Sequence, residues 1–319
     1  MTSPAALDKL EKLLPKSKTS RNEPLFRHTY FKLGGSADLL TRCSSTQELV
    51  HAAKSARTLG VPFFILGSGS NILAGDLGVR GLVIKNEAKS ISHRETLLTA
   101  ESGALMNQVV TYANKHGLGG LEVFLSVPGT VGGAVYNNSH YRGGEGELIG
   151  NSVVSGKIFL NGKMETVDRD WFHFSYDSSS LQHTDAVLLS ATFGLKNTDP
   201  AVLVQRSLET LTRRNERQPI GLACSGCVFK NMGGVSAGKM IDEAGLKGLQ
   251  VGGAVVSDVH ANFIINDGSA TVQNVLELMR QVRQAVFERT GVGLVPEIFL
   301  VGEFSDLPQE FRSSWHRSS

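Results

Sequence analysis

Residues 61–71 read VPFFILGSGSN and residues 127–138 read VPGTVGGAVYNN. In the first stretch an apolar run of strand length, VPFFIL (61–66), reads as a buried strand and stops at a turn of small residues. Glycine in such a turn permits positive φ and close approach of a ligand to the backbone. The stretch is not the common dinucleotide fingerprint, which needs a third glycine at fixed spacing and a helix behind it. Here Ile72-Leu73 leads into a second turn, Gly75-Asp76-Leu77-Gly78, and then a strand pattern over 81–85. Gly67 to Asn71 instead suits a nest of backbone N–H groups that holds a phosphate without a helix. Ser68, Ser70 and Asn71 add side-chain donors; a plain β-turn is the competing reading. In the second stretch, Pro128-Gly129-Thr130 and Gly132-Gly133-Ala134 allow two further close approaches. Two such loops about 60 residues apart, each in its own α/β unit, suit one long dinucleotide lying between two subdomains.

The flanking sequence divides accordingly. Residues 1–20 read as a short amphipathic helix and a polar connector, and TYFKLGGSADLLTR (29–42) as two short strands around Gly34-Gly35. Ser45-Thr46-Gln47-Glu48 is a capping-box pattern opening a helix that Gly60 stops. The first unit is therefore placed at 1–86. A second unit over 87–202 has a strand at 96–102, a helix from Leu105 to His116, and strands within 152–160, 164–168 and 186–195, which predicts an antiparallel sheet. A third unit spans 203–303. There Val272, Val275, Leu276, Met279, Val282 and Val286 recur at helical spacing, and Gly291 ends the run. Residues 304–319 form a polar tail expected to fray. The fold class is α+β.

Glycine supplies 35 of the 319 residues, about 11% against a usual ~7%. That excess localises to the two loops above and to GGVSAGK (233–239). The third cluster fits a P-loop spacing until Met240 stands where a serine or threonine must ligate Mg²⁺, so an ATPase is set aside. The 32 basic and 30 acidic side chains nearly cancel, which argues against a nucleic-acid binder resting on net charge. No apolar run reaches ~20 residues and the first residues lack a signal-peptide pattern, so a cytoplasmic protein without membrane attachment is expected. Cys43, Cys224 and Cys227 are too few for a disulfide scaffold, and one CxxC lacks the further ligands of a zinc site. No metal is expected.

The sequence resembles the UDP-N-acetylenolpyruvoylglucosamine reductase family. The blocks that carry the resemblance are TYFKLGGSADLL (29–40), ILGSGSNILAGDLGVRGLVIK (65–85), GLEVFLSVPGTVGGAVYNN (120–138), GCVFKNMGGVSAGKMIDEAGLKG (226–248), GGAVVSDVHANFIIN (252–266) and VPEIFLVG (295–302). They follow family order along almost the whole chain. The resemblance implies a two-subdomain FAD-binding region of the vanillyl-oxidase-like type and a C-terminal α+β substrate domain. It implies that Gly67, Ser68, Gly69, Ser70, Asn71, Pro128, Gly129, Thr130, Gly132 and Gly133 hold FAD. NADPH is then the hydride donor, and flavin N5 passes hydride to C3 of the UDP-linked enolpyruvyl sugar. The C2 carbanion, an enolate of the carboxylate, has to be stabilised and protonated.

By the same resemblance the proton donor, a serine in many members, is Cys227, and Glu297 assists at the substrate carboxylate. A thiol is a far stronger acid than an alcohol and is competent in that role. Asn231, Lys239, His260 and Asn262 are the substrate-cleft candidates. The spacing from Tyr176 to Cys227 leaves no room for the tyrosine-bearing insertion of one family class. One position departs. Asp177, in Phe174-Ser175-Tyr176-Asp177-Ser178-Ser179, stands where the family has an enolate-stabilising arginine. A slipped register, a compensating cation such as Lys230 or Arg169, or impaired turnover are the three readings. Another FAD oxidoreductase of the same fold and a binding protein without turnover are the alternative functions, and a monomer is expected.

Overall fold

A computed structural model describes residues 3–141, 147–232 and 234–316. Gly233 of the third glycine cluster and residues 317–319 of the tail lie outside the described residues.

The first sheet runs in the order Thr19–Pro24, Ser36–Cys43, Val79–Asn86, Phe63–Leu66. The last three strands are parallel and the first is antiparallel to its neighbour. Strand side chains alternate between faces. Leu39, Leu82 and Ile84 pack with Leu49, Ala52, Ala53 and Ala56 of the helix Thr46–Thr58, whereas Leu40, Val83 and Val79 fill a second cluster on the opposite face. Burial on both faces is why these strands read as continuous apolar runs. The helix is capped by Ser45, whose hydroxyl accepts from Glu48 N at 3.2 Å.

The partner strand of this sheet is 19–24, within and beyond the predicted connector, and residues 29–33 are not a strand. Gly34-Gly35 is no hairpin turn. A Cβ on Gly35 would lie 2.3 Å from Asp76 O, so glycine is needed where this segment crosses the turn at 75–78. The segment then reaches the third unit. Phe31 is fully buried in that core, and its carbonyl accepts from Asn266 Nδ2 at 2.9 Å.

The second sheet is antiparallel throughout, in the order Lys163–Asp168, Val153–Leu160, Val187–Gly194, Leu97–Glu101, Ile91–Arg94. The helices Met106–Lys115 and Val131–Tyr136 contribute Val109, Val110 and Val135 to its core. Phe159, Val187 and Leu189 of this sheet pack instead into the core of the first unit, which joins the two.

In the third unit the strands Gln250–Val251, Ala254–Val256 and Ile264–Asn266 form a small antiparallel sheet against the helix Val272–Thr290. Every apolar position of the predicted helical stripe is buried. Thr271 and Asn274 close a reciprocal capping box at its start.

The chain then leaves this unit. Strand Phe299–Val301 pairs in parallel with Ile72–Ala74, immediately after the GSGSN loop, and Phe299 N donates to Asn71 O at 3.0 Å. The tail is anchored where fraying is expected. Phe311 is fully buried in the third unit's core, and Trp315–His316 adds a further parallel strand beside Leu300–Val301. One apolar side chain in a polar stretch, together with an open strand edge, accounts for the docking. Among the described residues no helix is long and apolar enough to cross a membrane.

Candidate active site

A cavity of about 600 Å³ opens between the first two units, within the range of small-molecule and cofactor sites. All ten loop residues, Gly67 to Asn71, Pro128 to Thr130, Gly132 and Gly133, line it. The loops touch each other. A Cβ on Gly67 would lie 2.5 Å from Thr130 Oγ1, so a larger residue would push them apart. Ser70 Oγ donates to Pro128 O at 3.2 Å, and Thr130 Oγ1 accepts from Gly133 N at 3.3 Å. Beneath the second loop Gly132 N donates to Ser102 O at 2.7 Å. The far wall is residues 181–188, which carry no glycine or charge pattern that marks them in the sequence.

At one end of the cavity stand Cys227 and Glu297. Their meeting follows from two extended segments lying side by side: Glu297 N donates to Val228 O at 2.7 Å and Lys230 N to Val295 O at 2.8 Å. Asn262 fixes the first segment. Its Oδ1 accepts from Phe229 N at 2.9 Å, and its Nδ2 donates to Phe229 O at 2.7 Å. Burial, then the neighbouring Asp177, push the Glu297 carboxyl well above the usual carboxylate range, with Lys230 opposing. Burial, then Glu297 and Asp177, push the Cys227 thiol well above the ordinary thiol range. Both shifts favour the protonated forms. Cys227 is less acidic than thiol chemistry alone suggests, and it remains loaded as a donor.

Asp177 lies behind the cavity wall, beside His140 and Glu297, where a residue facing the substrate carboxylate would be expected. It is 1% exposed, has a left-handed backbone with φ 51°, and lies 3.2 Å (Oδ1) from His140 Nε2 and 3.9 Å (Oδ2) from Lys230 Nζ. Of the two cations considered, Lys230 approaches it, whereas Arg169 Nε donates to Gly150 O at 2.9 Å. One ligand atom each of His140, Asp177 and Glu297 falls within 4.8 Å of the others. His140 lines the cavity and was not singled out from the sequence. Its neighbours Asn138-Ser139 and Tyr141 form no motif, and only the chain reversal that brings 140 to 176–177 reveals it.

The four substrate candidates do not line this cavity. Asn231 Oδ1 accepts from Ala237 N at 3.0 Å, at the start of the helix Ala237–Glu243. Lys239 projects from that helix with its side chain 68% exposed, 3.7 Å from Glu243. His260 Nδ1 accepts from Asn262 N at 3.2 Å. Asn262 is the clamp described above. A second cavity, of about 550 Å³, shares Ser70, Pro128, Gly129 and Gly226 with the first and has Lys32 and Arg214 on its walls.

Residues 37–168 match an FAD-binding domain model and residues 218–301 the C-terminal domain of UDP-N-acetylenolpyruvoylglucosamine reductase. The chain is 38% identical over 298 residues to the UDP-N-acetylenolpyruvoylglucosamine reductase of Caldanaerobacter subterraneus, covering 93% of this chain and 98% of that protein. It is 41% identical over 284 residues to the enzyme of that name from Moorella thermoacetica, covering 88% and 93%. A crystal structure of the Thermus caldophilus UDP-N-acetylenolpyruvylglucosamine reductase superposes with a TM-score of 0.75 at 32% identity, over 89% of this chain and 98% of that one. The expected α+β fold, with its FAD-binding region and C-terminal domain, agrees with these matches. The chain belongs to the UDP-N-acetylenolpyruvoylglucosamine reductase family.

Proposed function

We propose that this chain reduces the enolpyruvyl group of UDP-N-acetylglucosamine enolpyruvate to the lactyl ether of UDP-N-acetylmuramate, a peptidoglycan precursor, with FAD as cofactor and NADPH as hydride source. The observation that carries the reading is the meeting of Cys227 and Glu297 at the end of a glycine-lined cavity.

The cavity fits the cofactor. Gly67 leaves room for the two loops to close on each other, and Asn137, which lines the wall, has a buried Oδ1 without a protein hydrogen-bond partner. Gly67 to Asn71, Pro128 to Thr130, Gly132 and Gly133 would hold FAD there through backbone N–H and hydroxyl groups. The bound cofactor would supply the hydride relay from NADPH to the substrate.

Cys227 gives its thiol proton to C2 of the substrate, because burial keeps that proton in place until a carbanion forms beside it. Glu297, kept neutral by burial and by Asp177, donates a hydrogen bond to the substrate carboxylate rather than repelling it. Asn262 is a positioning residue for the Cys227 segment. Asn231, Lys239 and His260 stay candidates for the sugar-nucleotide end. One chain supplies every residue named, which supports action as a monomer, and the use of NADPH and a UDP-sugar supports a cytoplasmic reaction.

The test is anaerobic. NADPH should bleach the visible absorbance of the FAD-loaded protein, and the enolpyruvyl substrate should restore it with formation of the lactyl product. Bleaching without recovery would refute the substrate reading. The pH dependence follows from groups that work protonated and whose proton affinities are raised. The substrate half-reaction should hold through neutrality and slow on the alkaline side as Glu297 and Cys227 lose their protons. A rate that climbs with pH over that range would show that they act deprotonated.

A further inference from the structure

We propose that His140 is a catalytic residue of the substrate half-reaction: held as an imidazolium by Asp177, it stabilises the negative charge that develops on the substrate carboxylate and so takes over the work of the missing arginine. The inference rests on the proposed function and assigns the step that a lone carboxylate at Asp177 would oppose.

The geometry comes first. Asp177 is buried, and among the described residues neither its oxygens nor His140 Nε2 has a hydrogen-bond partner. An uncompensated buried carboxylate is strongly unfavourable, so cationic neighbours are required. Two basic groups approach it: His140 Nε2 at 3.2 Å and Lys230 Nζ at 3.9 Å. His140 lines the cavity. Its ring is stacked on Tyr176, with centroids 5.1 Å apart and planes 11° from parallel, which fixes the orientation of the imidazole. Nε2 stands 3.2 Å from Asp177 Oδ1 without hydrogen-bond geometry, and an imidazolium carries a second N–H that is left for a ligand.

The arrangement is built, not incidental. Gln182 Nε2 donates both to Tyr136 O at 2.8 Å and to Asp177 O at 3.0 Å, and Ser179 Oγ donates to Tyr136 O at 2.8 Å. Asn138 Nδ2 donates to Ser175 O at 2.8 Å. Three side chains thus lock the 136–140 segment to the 175–182 segment. Asp177 itself adopts a left-handed backbone, a conformation that aspartate tolerates better than most residues.

Around the pair lie Tyr176, Glu297, Cys227, Lys230 and, bonded to Ser178, His183. Lys230 Nζ stands farther from Asp177, at 3.9 Å, than His140 Nε2 does, at 3.2 Å, and His140 is the one of the two that lines the cavity. An imidazolium there brings positive charge to a carboxylate gaining enolate character. Asp177 is a positioning residue: it aims His140.

The experiment separates this inference from the reading beneath it by timing the NADPH and substrate half-reactions independently. His140→Gln should slow the substrate half-reaction ~10²-fold, with a loss about tenfold or more greater than in the NADPH half-reaction. His140→Gly should be slow in the same step and be rescued by added imidazole. At fixed total imidazole, rescue should grow as pH falls, because only imidazolium carries the charge. Asp177→Asn should slow the same step and recover part of its rate at lower pH. The imidazole NMR signal of His140 should report the charged form in the wild type and move toward the neutral form in Asp177→Asn. A His140→Gln variant as fast as the wild type, equal slowing of both half-reactions, or no imidazole rescue would overturn the proposal. Loss of wild-type activity to a chelator, restored by a divalent cation, would also overturn it, because a cation would then supply the charge. A wild type that never reoxidises with substrate would overturn the functional reading and this inference together.

Discussion

Two parts of the cavity are built by different means. In one, Gly67 to Asn71 and the loop that holds Pro128 to Thr130, Gly132 and Gly133 offer backbone and hydroxyls, and their defining contact is Gly67 against Thr130. In the other, His140, Cys227 and Glu297, with Asp177 behind them, come from four separate segments and offer side chains, and the proton affinities of Cys227 and Glu297 depend on their neighbours. A backbone site is written into local sequence, since glycine is required wherever the main chain must approach closely. A side-chain site is written into the packing, because burial and neighbouring charges decide what each group can do.

Substitutions at three positions test that contrast. The largest effect belongs to the loops. Gly67→Val should open the contact with Thr130 and cost the protein its FAD, so that purified material lacks a visible flavin spectrum and neither half-reaction proceeds. Unchanged FAD affinity by titration would show that the two loops need not close on each other.

Among the side chains the effect is confined to one step. Cys227→Ala should keep the flavin spectrum and slow the substrate half-reaction ~10²-fold or more, and Cys227→Ser should recover most of it. Equal rates for Ala and wild type in single-turnover measurements would remove Cys227 as the donor and dissolve the distinction between the two parts.

The smallest effect is a control on the scaffold between them. Ser45→Ala removes the cap of the helix Thr46–Thr58, behind the first sheet, and should lower stability by about 1 kcal/mol in a urea melt. Both half-reactions should keep their wild-type rates. A change in either would mean that the first sheet transmits small shifts to the loops.

Reading the residues in order recovers the repeating elements well. The strand at Phe63–Leu66, the antiparallel strands after residue 95 and the helix Val272–Thr290 follow from periodicity, because each buries a face of regular spacing. It fails where distant contacts decide. Residues 29–33 look like a strand, but Phe31 is drawn into the third unit's core and the true edge strand is 19–24. Residues 304–319 look like a loose tail, yet Phe311 is buried and Trp315–His316 pairs with Leu300–Val301. No local pattern announces either.

The site divides along the same line. Sequence alone determined the loop residues, the thiol in the serine's place and the charge reversal at Asp177, since each is a matter of residue type within a recognisable block. Only the tertiary structure decided that strand Phe299–Val301 pairs beside the GSGSN loop and so carries Glu297 to the cavity. Only it set His140 against Asp177 and raised the proton affinities of Cys227 and Glu297. The physical reason is that residue type sets which charges a group can carry, whereas burial and the distance to other charges set which one it does carry.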